Sequence, residues 1–341
     1  MTTAQATAYR LGEALLEVDS DYQPLLDDLE HAYGDCAVDS ADAAIHVRCT
    51  ARANGRLVTL TFDAPAPLPN LAETAHALLR TRVDFQHFVL RDGAIVNERA
   101  GTPLVTADHT TAIVDTHDEP AELLLNFVVG VAQVAQPSML FVHAGGVSVD
   151  GRGTLIIGRS GQGKSTTTST LASRGHALLG DETVGLRPDT REVHAFRRTI
   201  KLRPGPRGEV VSDRLHAAPH VMRPDAAGTI CAFVRPTALF PDEAVSLTTP
   251  LTDVFFLRSF SDRASVERFV PTLAHLDELQ ALTMSLSSVI SWPPSPAHRL
   301  VRYVRIIELF KQCRCWFVDL GTPDETAALI ERTVRNHDDR S

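Results

Sequence analysis

From Ala43 onward, apolar positions fall into short runs that read as alternating strands and helices. Ala43 to Cys49 and Arg56 to Phe62 read as strands, and a loop rich in Pro and Ala, Asp63 to Asn70, leads to a helical stretch at Leu71 to Leu79. Phe85 to Leu90 and Ala94 to Asn97 flank Arg91-Asp92-Gly93. An Asp-Gly pair tolerates the positive φ of a tight turn, so a hairpin is predicted there. Asp118 and Pro120 mark a helix start, Leu123 to Val134 is apolar nearly all round, and Pro137 ends the run. This predicts a buried helix leading into a second domain.

Past Ser138 the pattern tightens. Met139 to Val142, Gly146 to Val149 and Thr154 to Ile157 read as strands, the last two joined by the turn Asp150-Gly151-Arg152-Gly153. A glycine-rich loop, a helix from Lys164 to Ser173 and one strand from Ala177 through Leu186 follow. Arg197 to Arg223, rich in Arg, Pro, His and Gly, is expected to be irregular. Val254 to Leu257 is a further strand. Ser295-Pro296 opens a helix with Leu300, Val301, Val304 and Ile307 on its apolar face and Arg299, Arg302 and Arg305 on a solvated one. Trp316 to Leu320 is a strand, and Thr322 with Glu325 forms a capping box for the last helix. The expected domains are 1–117 (α+β), a connecting helix at 118–137, and a catalytic domain at 138–341.

Composition narrows the class. The 341 residues carry a formal charge of −9, which argues against a nucleic-acid binder working by phosphate neutralisation. The N-terminal segment lacks a cationic region followed by an apolar run, and Asn126 and Gln133 break the longest apolar stretch, so neither a signal peptide nor a membrane span is expected. Five scattered cysteines point to free thiols and a cytoplasmic protein. Lysine occurs only at Lys164, Lys201 and Lys311, every other basic side chain apart from histidine being arginine.

The chemistry concentrates in Gly158-Arg159-Ser160-Gly161-Gln162-Gly163-Lys164-Ser165, followed by Thr166. This is the Walker A phosphate-binding pattern between an apolar strand and a helix. Glycines let several N–H groups converge on a phosphate, and the helix N-terminus adds partial positive charge. Lys164 is expected to reach the β- and γ-phosphates of ATP, and the Ser165 hydroxyl to bind Mg²⁺. Ala177-Leu178-Leu179-Gly180-Asp181-Glu182 ends an apolar run in an acid pair only 17 residues after Lys164. That spacing has room for one helix and a turn, so the acids sit on the strand directly after the loop's own helix.

These residues resemble the C-terminal catalytic domain of HPr kinase/phosphorylase and the HPr-kinase-related kinases. The likeness covers about forty residues: His143-Ala144-Gly145-Gly146-Val147 through Asp150-Gly151, the loop Gly158 to Ser165, and Arg174-Gly175-His176-Ala177-Leu178-Leu179-Gly180-Asp181-Glu182. The resemblance implies an α/β fold with a P-loop kinase core of the HPr kinase/PEP carboxykinase type, beside a smaller α+β N-terminal domain. It places Lys164 and Ser165 on nucleotide and metal, His143 beside the phosphates, Asp181 as base for a substrate serine hydroxyl, and Glu182 on magnesium. Glu182 stands where the family has a second Asp. Ala195-Phe196-Arg197-Arg198-Thr199-Ile200-Lys201 replaces its Glu-Ile-Arg-Gly type signature, which puts HPr recognition and the phosphorylase reaction in question. The N-terminal part is closer to kinases found beside peptide-modification enzymes.

Arg198 and Lys201 are the residues of the basic segment expected to neutralise phosphoryl charge. The expected activity is ATP- and Mg²⁺-dependent transfer of the γ-phosphoryl group to a serine-type hydroxyl of a protein or peptide. A P-loop ATPase or nucleotide-binding regulatory module, and a kinase of a small alcohol, are the alternatives. Neither nucleic acid nor membrane is an expected partner, and self-association is left open.

Overall fold

The computed structural model describes residues 6–39, 43–68, 70–79, 88–99, 101–117, 123–159, 161–202, 211–224, 229–240, 248–275 and 296–336. The chain divides into two compact units, 1–139 with 285–298 and 140–284 with 299–341. Both mix helix and strand, so the fold class is α/β in this coarse sense.

In the first unit a sheet is built from β1 (Thr7–Leu11), β2 (Ala14–Ser20), β3 (Ala37–Val38), β4 (Ile45–Asn54), β5 (Leu57–Asp63), β6 (Phe88–Arg91), β7 (Ala94–Asn97), β8 (Thr102–Ala107) and β9 (Thr111–Asp115). The strand order is β3-β1-β2-β4-β5-β9-β8-β7-β6, antiparallel except between β2 and β4. Helices α1 (Gln23–Tyr33), α2 (Leu71–Leu79) and α3 (Leu123–Val134) accompany it. The hairpin at Arg91-Asp92-Gly93 forms as its sequence predicts, with Asp92 at φ 48° and Gly93 at φ 75°. Helix α3 is buried over nearly its whole circumference. Just after it, Gln136 donates to the Leu11 carbonyl at 2.9 Å and accepts from the Glu13 amide at 2.8 Å, tying the chain to the β1–β2 turn. The expected helix start at Asp118 and Pro120 lies outside the described residues.

The second unit holds β10 (Leu140–Val142), β11 (Gly145–Val149), β12 (Arg152–Ile157), β13 (Ala177–Gly180), β14 (Val184–Arg187), β15 (Glu192–His194), β16 (Ile200–Leu202), β17 (His220–Pro224), β18 (Ile230–Val234), β19 (Thr248–Phe260), β20 (Ser265–Phe269) and β21 (Arg314–Leu320). Its helices are α4 (Lys164–Ser173), α5 (Ser212–Ala217), α6 (Pro236–Leu239), α7 (Pro296–Phe310) and α8 (Pro323–Arg335). The main sheet runs β10-β14-β15-β19-β12-β11-β13, with β21 against β19 and β20 against β21. Strands β16, β18 and β17 form a separate small sheet. The capping box of α8 forms: Thr322 Oγ1 accepts from the Glu325 amide at 3.3 Å, and Glu325 Oε2 accepts from the Thr322 amide at 3.1 Å.

Three expectations are corrected. The run Ala177 to Leu186 is not one strand: β13 pairs with β11, whereas β14 pairs with β10 and β15, and the chain changes partners at Asp181 to Thr183. Within Arg197 to Arg223, β16, α5 and β17 form regular structure, because the apolar strand that follows, β18, pairs with both β16 and β17. On α7 the buried positions are Ile306, Ile307, Leu309 and Phe310, while Val301 and Val304 are exposed. Arg302 is not on a solvated face, because its guanidinium donates to the Phe141 carbonyl and burial depresses its pKa to about 10. The cysteines are free, as expected.

Candidate phosphoryl-transfer site

Strand β12 lies between β11, antiparallel to it, and β19, parallel to it. Its C-terminal end runs into the glycine-rich loop. Gly161 and Gly163 adopt φ of 82° and 85°, a left-handed conformation that glycine enters without steric cost, and Gly163 caps α4. Gln162 braces the loop: its Oε1 accepts from the Arg159 amide, and its Nε2 donates to the Arg258 carbonyl at 3.1 Å. Gly158 is buried, Arg159 exposed, Ser165 and Thr166 half-buried; Ser160 lies outside the described residues. Helix α4 buries polar side chains as well as Leu171 and Ala172, and Thr168 and Thr170 satisfy their hydroxyls on the carbonyls of Lys164 and Thr166, each at 2.8 Å.

Lys164, the first residue of α4, is 7% exposed. Its ammonium donates to the Gly158 carbonyl at 2.8 Å and the Arg159 carbonyl at 3.2 Å, which occupies two of its three donors on neutral groups. Burial lowers its pKa, and the nearby charges of Asp181 and Glu182 act in the opposite direction. The loop therefore holds a desolvated cation close to the acid pair.

The acids and His143 share one structural cause. Val142 pairs with Val184 and Gly146 with Gly180, so the pairs flanking the gap share one register, beyond which the β11–β13 pairing shifts by one residue at Val147. Between them the ladder is interrupted. The gap spans His143, Ala144 and Gly145 on one side and Asp181, Glu182 and Thr183 on the other. It lies at the end of the sheet where β12 meets the loop, since Gly145 is also the partner of Ile156. Across the gap His143 Nδ1 lies 2.8 Å from the Glu182 carbonyl. A carbonyl only accepts, so Nδ1 carries the proton and Nε2 is the deprotonated nitrogen of the neutral ring. Burial first, and the Lys164 charge second, depress the His143 pKa below 6.5. Asp181 is 8% exposed, and Glu182 faces solvent.

Two glycines permit the approach. A Cβ on Gly145 would lie 2.1 Å from Thr168 Oγ1 of α4, and one on Gly180 would lie 2.2 Å from the Thr183 carbonyl oxygen. Both distances are prohibitive, so Gly145 is needed for the gap to sit against α4, and Gly180 for the turn that carries the acid pair to close.

The structure thus brings together Lys164, His143, Asp181 and Glu182, with Ser165 on the adjoining turn of α4. Arg198 lies on the approach to β16, and Lys201 within β16 opposite Phe233. The basic residue that reaches β13 is Arg197, 6% exposed, whose Nε donates to the Leu178 carbonyl at 3.0 Å. Sequence reasoning passed over it, although its position directly after the apolar Ala195-Phe196 pair was a signal for burial. Among the described residues no group of three or more His, Cys, Asp or Glu side chains is arranged to hold a metal. Magnesium takes one or two protein oxygens together with phosphate and water. Ser165 and Glu182 offer hard oxygen donors of this kind.

Comparison with known proteins yields one consistent name. The chain is 34% identical over 97 residues to the HPr kinase/phosphorylase of Bacillus cytotoxicus, covering 28% of each chain. It is 35% identical over 97 residues to that of Halalkalibacterium halodurans, again 28% of each, and 27% identical over 141 residues to that of an Exiguobacterium species, 41% of this chain and 34% of the relative. The matched segment spans about a third or less of these relatives. A solved structure, the HPr(Ser) kinase/phosphatase of Coxiella burnetii, aligns over 58% of this chain and 95% of its own at 17% identity. Its TM-score of 0.29 is too low to carry a structural equivalence. No protein-family profile matches the chain. The sequence matches bear out the resemblance: this segment is HPr-kinase-like. No helix of the described residues is long and apolar enough to cross a membrane.

Proposed function

We propose that this chain is an ATP-dependent kinase that transfers the γ-phosphoryl group to a serine-type hydroxyl of a protein or peptide. The observation that carries the reading is the interrupted ladder, which sets Asp181, Glu182 and His143 at the end of the sheet where Lys164 emerges from the loop. The fold assignment that goes with it is a P-loop core of the HPr kinase/PEP carboxykinase type in residues 138–341, with residues 1–117 as a smaller α+β domain and 118–137 connecting them.

In this reading the amides of Gly158 to Thr166 hold the triphosphate, and Lys164 exchanges its carbonyl partners for phosphate oxygens. Asp181 accepts the proton of the attacking hydroxyl as the oxygen–phosphorus bond forms and the bond to the ADP oxygen breaks. Neutral His143 fixes the Glu182 backbone through Nδ1 and so holds the acid turn against the loop. Lys201 and Arg198 neutralise phosphoryl charge from the following segment. Ser165 and Glu182 are the residues that would hold Mg²⁺, which would offset the phosphate charge when bound.

The test is the fate of label from γ-³²P-ATP, with the protein incubated with peptides encoded beside its gene. The kinase reading expects the label on a serine of an acceptor. Label recovered only as free phosphate would favour an ATPase, and label on a small alcohol would replace the peptide acceptor.

A further inference from the structure

The loop has two neighbours in the sheet, and they differ in chemistry. On the β11 and β13 side lie His143, Asp181 and Glu182, where the terminal phosphoryl group is transferred in the reading above. On the other side lies β19. It runs parallel to β12 and continues four residues past Phe256, the partner of Ile157, so its last residues flank the loop. The final one is Phe260, 68% exposed. A Cβ built on Gly163 would lie 3.5 Å from Leu320 Cδ2 and 3.8 Å from Phe260 Cε1 and Cζ, so the ring lies beside the cap of α4. At 68% exposure, it keeps face area open to a ligand.

Phe260 is firmly placed. The Arg258 carbonyl holds Gln162 of the loop at 3.1 Å, and the Ser261 amide donates to the Leu320 carbonyl at 2.7 Å. Asp319 accepts from Arg258 and Ser259 at 2.8 and 2.9 Å. Strand β19 is therefore anchored to the loop before Phe260 and to β21 on both sides of it. Single exposed apolar side chains are ordinary on protein surfaces. This one is distinguished by its place beside the phosphate loop, on the side opposite the acid pair.

We infer that Phe260 is the platform on which the base of the nucleoside triphosphate stacks. A triphosphate that points its γ-phosphate toward Asp181 directs its nucleoside toward the other side of the loop, over the end of β19. Stacking uses the π-face that every base has, so this platform is tolerant of base identity. The inference rests on the phosphate-loop reading and adds to it the binding of a nucleoside, not merely of a polyphosphate.

The test measures equilibrium binding of ATP, GTP and inorganic tripolyphosphate to wild type, Phe260→Ala, Phe260→Trp and Lys164→Ala. Phe260→Ala is expected to raise Kd about 10-fold for ATP and GTP alike, with tripolyphosphate within twofold of wild type. Phe260→Trp is expected to keep wild-type ATP affinity, and Lys164→Ala to weaken all three ligands. An unchanged ATP Kd in Phe260→Ala, with tripolyphosphate still bound, overturns the base platform alone. Equal loss of ATP and tripolyphosphate also overturns it, since Phe260 would then only shape the loop. A wild-type protein that binds none of the three overturns the phosphate-loop reading and the platform with it.

Discussion

The two ends of strands β12, β19 and β21 handle charge in opposite ways. At the end away from the loop, Asp253 is fully buried, and its carboxylate takes Arg314 at 2.7 Å, the Trp316 indole at 3.0 Å and the Thr252 hydroxyl at 2.9 Å. Arg314 and Arg152 both donate to the Val334 carbonyl at the C-terminal turn of α8, at 3.0 and 2.8 Å. At the loop end, Lys164 rests on neutral carbonyls, and the ladder opens around an acid pair. A buried charge with matched partners locks a fold; one held near its opposites on neutral partners is poised for a ligand. The contrast separates the packing that stabilises the second unit from the site of the proposed transfer.

Substitutions at the two ends should therefore fail in different ways. Lys164→Ala is expected to reduce phosphoryl transfer by about 10³-fold or more while shifting unfolding free energy by less than about 1 kcal/mol. Chemical denaturation beside a transfer assay checks both halves. At the far end, Asp253→Asn leaves Arg314 without its anion and should cost about 3 kcal/mol of stability. The fraction that remains folded should turn over at the wild-type rate.

Smaller effects sharpen the comparison. Lys201→Ala and Lys201→Arg at saturating nucleotide should each lower kcat, by roughly 30- to 1000-fold for alanine, if a compact ammonium meets the transferring phosphoryl group. Variants within threefold of wild type would return Lys201 to a purely structural place in β16. Glu331 accepts from Arg174 at 2.6 and 2.9 Å and lies 3.0 Å from His176 Nε2, joining α8 to the start of β13. The Arg174 hydrogen bonds, then that of His176, hold its pKa below the ordinary 4.5. The stability it contributes is thus present above pH 4.5 and is lost as pH falls through its lowered value. Glu331→Gln should cost about 1–3 kcal/mol at neutral pH and flatten the acid limb of the stability curve.

Local chemistry explains what was legible in the sequence. Helix α4 runs from Lys164 to Ser173 as expected, because the loop pattern fixes where it starts. The Asp92-Gly93 turn and the Thr322–Glu325 box are likewise complete within a few residues. The break between β13 and β14 was hidden, because an apolar run such as Ala177 to Leu186 carries no mark of a change in partner strands. The last three residues of β19 were missed for a related reason. The strand was expected over Val254 to Leu257, whereas pairing with β21 extends it to Phe260. Arg302 looked solvated because a helical stripe of arginines says nothing about a carbonyl brought to it from β10. The residues of the candidate site were found one by one, and the register that gathers them belongs to the tertiary fold.

In the proposed mechanism the interrupted ladder presents Asp181 as the base for phosphoryl transfer. Asp181→Asn preserves shape and removes the proton acceptor, so the decisive measurement is its single-turnover transfer from γ-³²P-ATP to the acceptor, beside its ATP Kd. The expected result is a Kd within threefold of wild type and transfer reduced by about 10²-fold or more. Binding and transfer that fall together, or transfer that stays at the wild-type rate, would contradict it.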